Sequence, residues 1–252
     1  EIRLAPGPKP QRVMVLGVNE LDDILNLLQC FQQHVVLTAF EFFSELALQK
    51  VTKRGDIPRP FSEPCAFYAL VEFDADADEE AAIAFEQALD RDWVTTGVIS
   101  QSDAQAAALW SLRENISESI AADTPYKNDL SVRISEVPGF LSDVDGIVNK
   151  HYPDLDVCWY GHIGDGNLHL NILKPESLTI DEFFERCHRI NPELFSLIEQ
   201  RGGSISAEHG VGLLKRDFLP FSRSDAEIGL MRELKEVFDP SGIMNPGKLF
   251  SV

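Results

Sequence analysis

Apolar positions along the chain follow two rhythms: short β-branched and aromatic runs, and stretches in which apolar residues recur every three or four positions. Val13 to Val18 (VMVLGV) is the first strand-like run, and Leu21 to Gln33 follows with Leu21, Ile24, Leu25, Leu28 and Phe31 at helical spacing. Residues 34 to 38 (HVVLT) are β-branched and predict a second strand, and a Phe-rich helix is expected over roughly Phe40 to Val51. The order repeats from Ala66, with a strand to Phe73, an Ala-rich acidic helix from about Glu79 to Leu89, and the strand WVTTGVIS. Between the two rounds, Thr52 to Pro64 carries three prolines and Gly55, so it reads as a surface loop. Repeated strand-helix-strand units predict an α+β fold: ferredoxin-like halves forming an antiparallel sheet covered by helices, with a helical C-terminal segment.

A long helix is expected from Ser102 to about Ala122. Leu109, Leu112, Ile116 and Ile120 form one stripe, while Trp110, Arg113 and Ser117 form a second, about 70° round from the first. Arg113 therefore stands at the shoulder of the buried face, an unusual place for a solvated arginine. A strand (Asp129 to Ile134), a helix (Val137 to Lys150), a strand pair, a helix (about Asp181 to Gln200), a Gly-rich loop and a last helix (about Ser224 to Phe238) complete the pattern.

The strand pair contains GHIGDGNLHLN, Gly161 to Asn171. Asp-Gly between strand-like runs favours a two-residue type I′ turn at Asp165-Gly166, which sets His162 opposite His169. One face then carries Trp159, Gly161, Ile163, Leu168, Leu170 and Ile172, and the other carries Tyr160, His162, His169 and Asn171. A lone strand histidine is more often structural than a ligand, but two opposed imidazoles on a polar face suit zinc, manganese, iron or cobalt. Such a site needs a further ligand, usually a carboxylate. Glu208 in SAEHG is the obvious supplier, and an extended loop would turn the adjacent His209 the other way, toward a substrate. Taken alone, the same loop also reads as a Gly-punctuated turn with a solvated Glu-His pair.

Charge narrows the ligand. With 41 acidic against 22 basic residues the formal net charge is -19, and no Lys/Arg cluster of the kind that neutralises phosphates is present, which argues against nucleic acid. An anionic substrate would need positive charge supplied inside its pocket. No apolar run approaches the roughly 20 residues of a spanning helix. Cys30, Cys65, Cys158 and Cys187 stand singly, so buried thiols and a reducing compartment are expected. The opening EIRLAPGPKP has no Met and no signal or transit character, and it reads as the interior of a longer chain.

YGHIGDGNLHLN, GGSISAEHGVG and FDPSGIMNPGK occur in this order. With them the sequence resembles the C-terminal half of the FAD-linked D-2-hydroxyacid dehydrogenases, a group that includes D-2-hydroxyglutarate dehydrogenase, flavin-type D-lactate dehydrogenases and glycolate oxidase subunits. The resemblance covers essentially the whole chain. It implies that residues 1–10 are the tail of a preceding FAD-binding domain and its linker, and that 11–252 form the substrate and metal domain.

The resemblance also places a divalent metal, zinc or manganese, at His162, His169 and Glu208, and the general base at His209. Arg113 in WSLRENIS matches the arginine that clamps the substrate carboxylate, and Lys127 in YKNDL matches a further substrate-binding lysine. Asn171 is then a neighbouring polar contact, and Asn245 in the NPGK tail a contact to the flavin side. Ser117 stands where dicarboxylate-specific relatives tend to have Thr, which leaves substrate length open.

The implied partners are a small 2-hydroxy acid and the FAD domain of the same protein, with a homodimer left open; the implied compartment is the cytoplasm, or the mitochondrial matrix in a eukaryote. Two other readings remain at this point. One is a metal-binding or interaction module with no activity, since the chain shows no electron acceptor of its own. The other is a metal-dependent hydrolase, weakened because no second carboxylate is plainly available as a base beside the histidines.

Overall fold

The structure is a computed structural model describing residues 7, 9–53 and 57–250. Most of the expected linker over 1–10, and residues 54–56 of the predicted loop, lie outside the described residues. Two compact units are present. The first is Glu1–Ala122 with Trp159–Gly164, and the second is Asp123–Cys158 with Asp165–Val252.

The first unit contains β1 (Gln11–Val18), α1 (Leu21–His34), β2 (Leu37–Ser44), α2 (Glu45–Lys53), β3 (Phe67–Asp74), α3 (Asp78–Asp90), β4 (Thr96–Ile99), α4 (Asp103–Glu114) and α5 (Ile116–Ser119). Its strands run antiparallel in the order β4-β1-β3-β2, with Leu16 opposite both Ala69 and Gly97. This is the ferredoxin-like order expected of two strand-helix-strand units whose helices cross over the same sheet. The α1 stripe buries Ile24, Leu27, Leu28 and Phe31 against it, close to the face its periodicity predicts.

Two expectations need correction here. Residues 40–44 extend β2 instead of opening a helix, and α2 starts only at Glu45. Phe40, Phe42 and Phe43 are all buried: β3 flanks the segment on one side and residues Tyr160 and Gly161 on the other, and Phe43 stacks on Tyr68 at 5.3 Å. A short aromatic run fits either period, and strand neighbours on both sides decide it. The helix predicted over Ser102 to Ala122 is also interrupted. At Asn115 the side-chain amide donates to the Ser111 carbonyl (3.0 Å), competing with the helical ladder, and α5 is a separate short turn.

The second unit contains β5 (Tyr126–Ser131), α6 (Val137–His151), the start of β6 (Asp156–His162), β7 (Asn167–Leu173), α7 (Ile180–Gln200), α8 (Gly212–Lys215) and α9 (Asp225–Phe238). β5 begins before the predicted Asp129 and stops at Ser131, because residues 134–136 turn into the start of α6, which carries Pro138 in its first turn. β5 and β7 pair antiparallel, with Lys127 opposite Asn171 and Asp129 opposite His169. Past α7, whose Thr179–Glu182 capping box opens it, Ser204 makes a single bridge to Ser131. α9 buries none of its residues and exposes Leu230, Leu234, Val237 and Phe238. All four cysteines are buried and unbridged, and among the described residues no helix is long and apolar enough to cross a membrane.

The connection between β6 and β7 is not the two-residue type I′ turn. It spans residues 163–166, and only Gly166 has a positive φ (79°), whereas a type I′ turn needs two. Asp165 keeps an ordinary backbone and uses its side chain to accept the Asn167 N–H at 3.0 Å. Gly166 also lies against the chain after β5: a Cβ there would sit 2.2 Å from the Val132 carbonyl oxygen. Gly166→Ala should therefore lower stability by about 2 kcal/mol or more, read from the urea midpoint. An unchanged midpoint would show that the turn relaxes freely.

Candidate functional site

Most of the residues singled out by sequence lie at two places, one in each unit. In the first unit the centre is Glu41, on the part of β2 expected to be helical. It is only 6% exposed. One carboxylate oxygen lies 2.8 Å from His162 Nδ1, and the other lies 3.0 Å from Arg113 Nη2. Nδ1 is thus the ring nitrogen of His162 that faces the carboxylate.

Arg113 reaches this point because α4 buries Leu109 and Leu112 and so carries its neighbour inward on the shoulder of the stripe. Its guanidinium lies 4.7 Å from the Tyr160 ring centroid, a cation–π contact. The ion pair with Glu41 is close but poorly aligned, and Arg113 Nε and Nη2 are buried without a hydrogen-bond partner. A buried guanidinium with unspent donors is equipped to receive a planar anion. Ser117 is exposed and lies beyond the Asn115 break, on α5, whose Ile116 is buried.

In the second unit the register of β5 and β7 does the positioning. Alternation puts Lys127 and Asp129 on one face with Asn171 and His169, while Leu130, Leu168, Leu170 and Ile172 are buried. Asp129 is 8% exposed, and its Oδ2 accepts the N–H groups of both Glu208 (2.8 Å) and His209 (3.0 Å). Its Oδ1 lies 3.9 Å from His169 Nδ1. Burial alone would raise the Asp129 pKa, but the two N–H donors and the nearby His209 and His169 outweigh it and hold the carboxyl below its ordinary value.

Consecutive N–H groups that converge on one oxygen describe a curled loop, not an extended one. The expectation that Glu208 and His209 point opposite ways is thereby corrected: ligand atoms of Asp129, Glu208 and His209 all lie within 4.8 Å of one another. Glu208 also accepts from the Asn167 amide. Lys215 Nζ donates to the carbonyls of Ile205 (2.6 Å) and Asp129 (3.2 Å), tying the loop to β5, and burial pushes its pKa down to about 8. Asn171, 1% exposed, donates to the carbonyls of Cys158 (3.3 Å) and His169 (3.1 Å).

Imidazole nitrogens and carboxylate oxygens are the donor set of a borderline divalent ion, and the buried, unpartnered Asp129 Oδ1 marks a cluster built around charge. Residues 7–249 match the family of FAD linked oxidases, C-terminal domain.

The chain belongs to this family.

Among its relatives, D-2-hydroxyglutarate dehydrogenase of Stutzerimonas stutzeri is 53% identical over 99% of this chain and 54% of its own length. The Xanthomonas citri protein of the same name is 47% identical over 99% and 53%. A putative mitochondrial D-lactate dehydrogenase of Schizosaccharomyces pombe is 34% identical over 96% and 48%. The chain spans about half the length of the curated relatives it matches. Solved structures of 4-ethylphenol oxidase from Gulosibacter chungangensis (TM-score 0.66, 14% identity, 99% of this chain and 55% of that one) and of p-cresol methylhydroxylase (0.60, 13%, 97% and 53%) share the fold.

In this FAD-linked oxidase C-terminal domain, sequence reasoning missed Glu41, Asp129, Asn167 and Lys215. The reading that no second carboxylate stands beside the histidines is corrected by the first two. Glu41 left a weak signal, a lone acid inside FEFF, and Asp129 left almost none. Asn245, in the tail after α9, has a positive φ of 47° and lines a cavity of about 300 Å³ with Arg232, Lys235, Lys248 and Phe250.

Proposed function

We propose that the chain is the substrate- and metal-binding half of a flavin-dependent dehydrogenase that oxidises a D-2-hydroxy acid to the 2-oxo acid. The observation that carries this reading is the exposed His209, whose backbone is anchored by the buried Asp129 carboxylate beside Glu208 and His169. An exposed imidazole whose backbone is held in place is suited to take the proton of a substrate hydroxyl. Arg113 supplies the carboxylate clamp, since a planar guanidinium fork can fix both position and plane of a carboxylate. Lys127 adds positive charge on the face it shares with Asp129, and Asn171 and Ser117 complete the substrate-binding set.

His162, His169 and Glu208 are the proposed ligands of a divalent ion, zinc or manganese, which when bound would supply Lewis acidity to the substrate hydroxyl. FAD, bound mainly by the other half of the protein, would supply the hydride acceptor. The metal, Arg113 and Lys127 would each supply positive charge that an anionic substrate needs in so acidic a chain. The matched relatives are about twice as long as this chain, and α9 exposes an apolar stripe, which supports residues 11–252 as one functional half docked on a flavin domain whose tail and linker are residues 1–10. Asn245 in the following tail is the proposed contact on the flavin side. The proposed location is the cytoplasm, or the mitochondrial matrix in a eukaryote, the support being that the Danio rerio relative is named as mitochondrial.

The test is direct. Anaerobic addition of D-2-hydroxyglutarate or D-lactate to the intact flavoprotein should bleach the flavin absorbance, and the L-enantiomers should not. A flavin that stays oxidised with both D-acids removes this reading.

A further inference from the structure

We propose that Glu41 and Asp129 are the positioning residues of the two candidate ligand histidines, each holding its partner's Nδ1 so that the ligand lone pair lies on Nε2. This rests on the reading of His162 and His169 as metal ligands. Neither carboxylate belongs to a motif that pointed to the site. Both come from strands distant in sequence.

The two arrangements match although they lie in different units. Glu41 is 6% exposed and places one oxygen 2.8 Å from His162 Nδ1; Asp129 is 8% exposed and places one oxygen 3.9 Å from His169 Nδ1, directly across the β5–β7 register. In each case the second oxygen is engaged by a fixed group. For Glu41 it is the Arg113 guanidinium at 3.0 Å, and for Asp129 it is the Glu208 and His209 N–H groups. Each carboxylate is therefore held from behind and presents its remaining oxygen to an imidazole.

A metal-binding imidazole must be neutral, with one nitrogen protonated and the other bearing a lone pair. A carboxylate at Nδ1 fixes that tautomer, aims the ring and raises its basicity. Asp129 Oδ1 is buried with no hydrogen-bond partner, an arrangement that costs free energy unless something is meant to meet it. His169 Nδ1 lies 3.9 Å from that oxygen, so a small rotation of the ring brings the two groups to hydrogen-bond length. Asp129 then serves three members of the site: His169 through its ring, and Glu208 and His209 through their backbones.

Isosteric amides isolate the effect. In Asp129→Asn the carbonyl oxygen can still accept from Glu208 and His209, but the amide nitrogen cannot accept from His169 Nδ1–H. Glu41→Gln likewise keeps size and removes charge. In the intact protein loaded with cobalt(II), each variant should weaken metal affinity by about 10- to 100-fold in chelator competition and shift the visible cobalt bands. Wild-type affinity and an unchanged cobalt spectrum in both variants would overturn the proposal.

Should the variants fold poorly, nitrogen-15 histidine spectra of the unmutated, zinc-loaded protein give the answer independently. Protons on Nδ1 of both His162 and His169 support the proposal, and zinc on either Nδ1 overturns it. His162→Ala and His169→Ala tell the two readings apart. If these variants lose cobalt while the amide variants keep it, only the positioning role fails; if they too keep it, the ligand assignment fails and takes the positioning role with it.

Discussion

Replacing His209 by alanine in the intact enzyme should lower kcat by about 10²- to 10⁴-fold, the range for loss of a positioned proton acceptor, while KM changes far less. The asymmetry follows from how the residue is held. Asp129 grips the backbone N–H of His209, not its ring, so removing the ring leaves the loop anchored and the neighbouring Glu208 N–H in place. The proposed substrate contact through Arg113 lies in the other unit and is untouched. Steady-state kinetics at saturating substrate decides the matter: an unchanged kcat would take His209 out of the reaction, and a pure rise in KM would make it a binding residue.

Arg113→Met should do damage of two kinds. The Glu41 carboxylate, 6% exposed, loses its cation and stays buried beside His162, and stranding one partner of a buried ion pair costs about 3 to 5 kcal/mol. Loss of the fork for the substrate carboxylate should also reduce kcat/KM by about 100-fold or more, equivalent to roughly 3 kcal/mol. The two effects are separable. Adding Glu41→Gln to Arg113→Met removes the stranded charge, so the double variant should melt higher than the single one and still be defective in kcat/KM. A double variant as unstable as Arg113→Met would mean that the loss came from packing against Tyr160 and not from charge.

Several local features were readable in the chain because their causes are local. The α1 stripe, the helix expected from about Asp181 and the inward place of Arg113 depend on periodicity within a few residues. The misreadings have the opposite character. Phe40 to Ser44 is strand because β3 and residues Tyr160 and Gly161 flank it, and no property of FEFF alone announces those neighbours. The break at Asn115 turns on a side chain preferring a carbonyl in the preceding turn, and the β6–β7 connection turns on Gly166 meeting the Val132 carbonyl from elsewhere in the unit.

What the sequence by itself determined is the inventory of chemistry: His162 and His169 seven positions apart, Glu208 and His209 between glycines, an arginine on a buried shoulder, and the ferredoxin-like succession of strands and helices. What only the tertiary structure decided is how that inventory is held. Glu41 meets His162 from 121 positions away, and Asp129 meets His169 because β5 and β7 pair in one register and no other. The physical reason is that a carboxylate's influence on an imidazole depends on burial and on a few ångströms of separation. Both are set when distant strands are brought side by side and water is excluded, and spacing along the chain records neither.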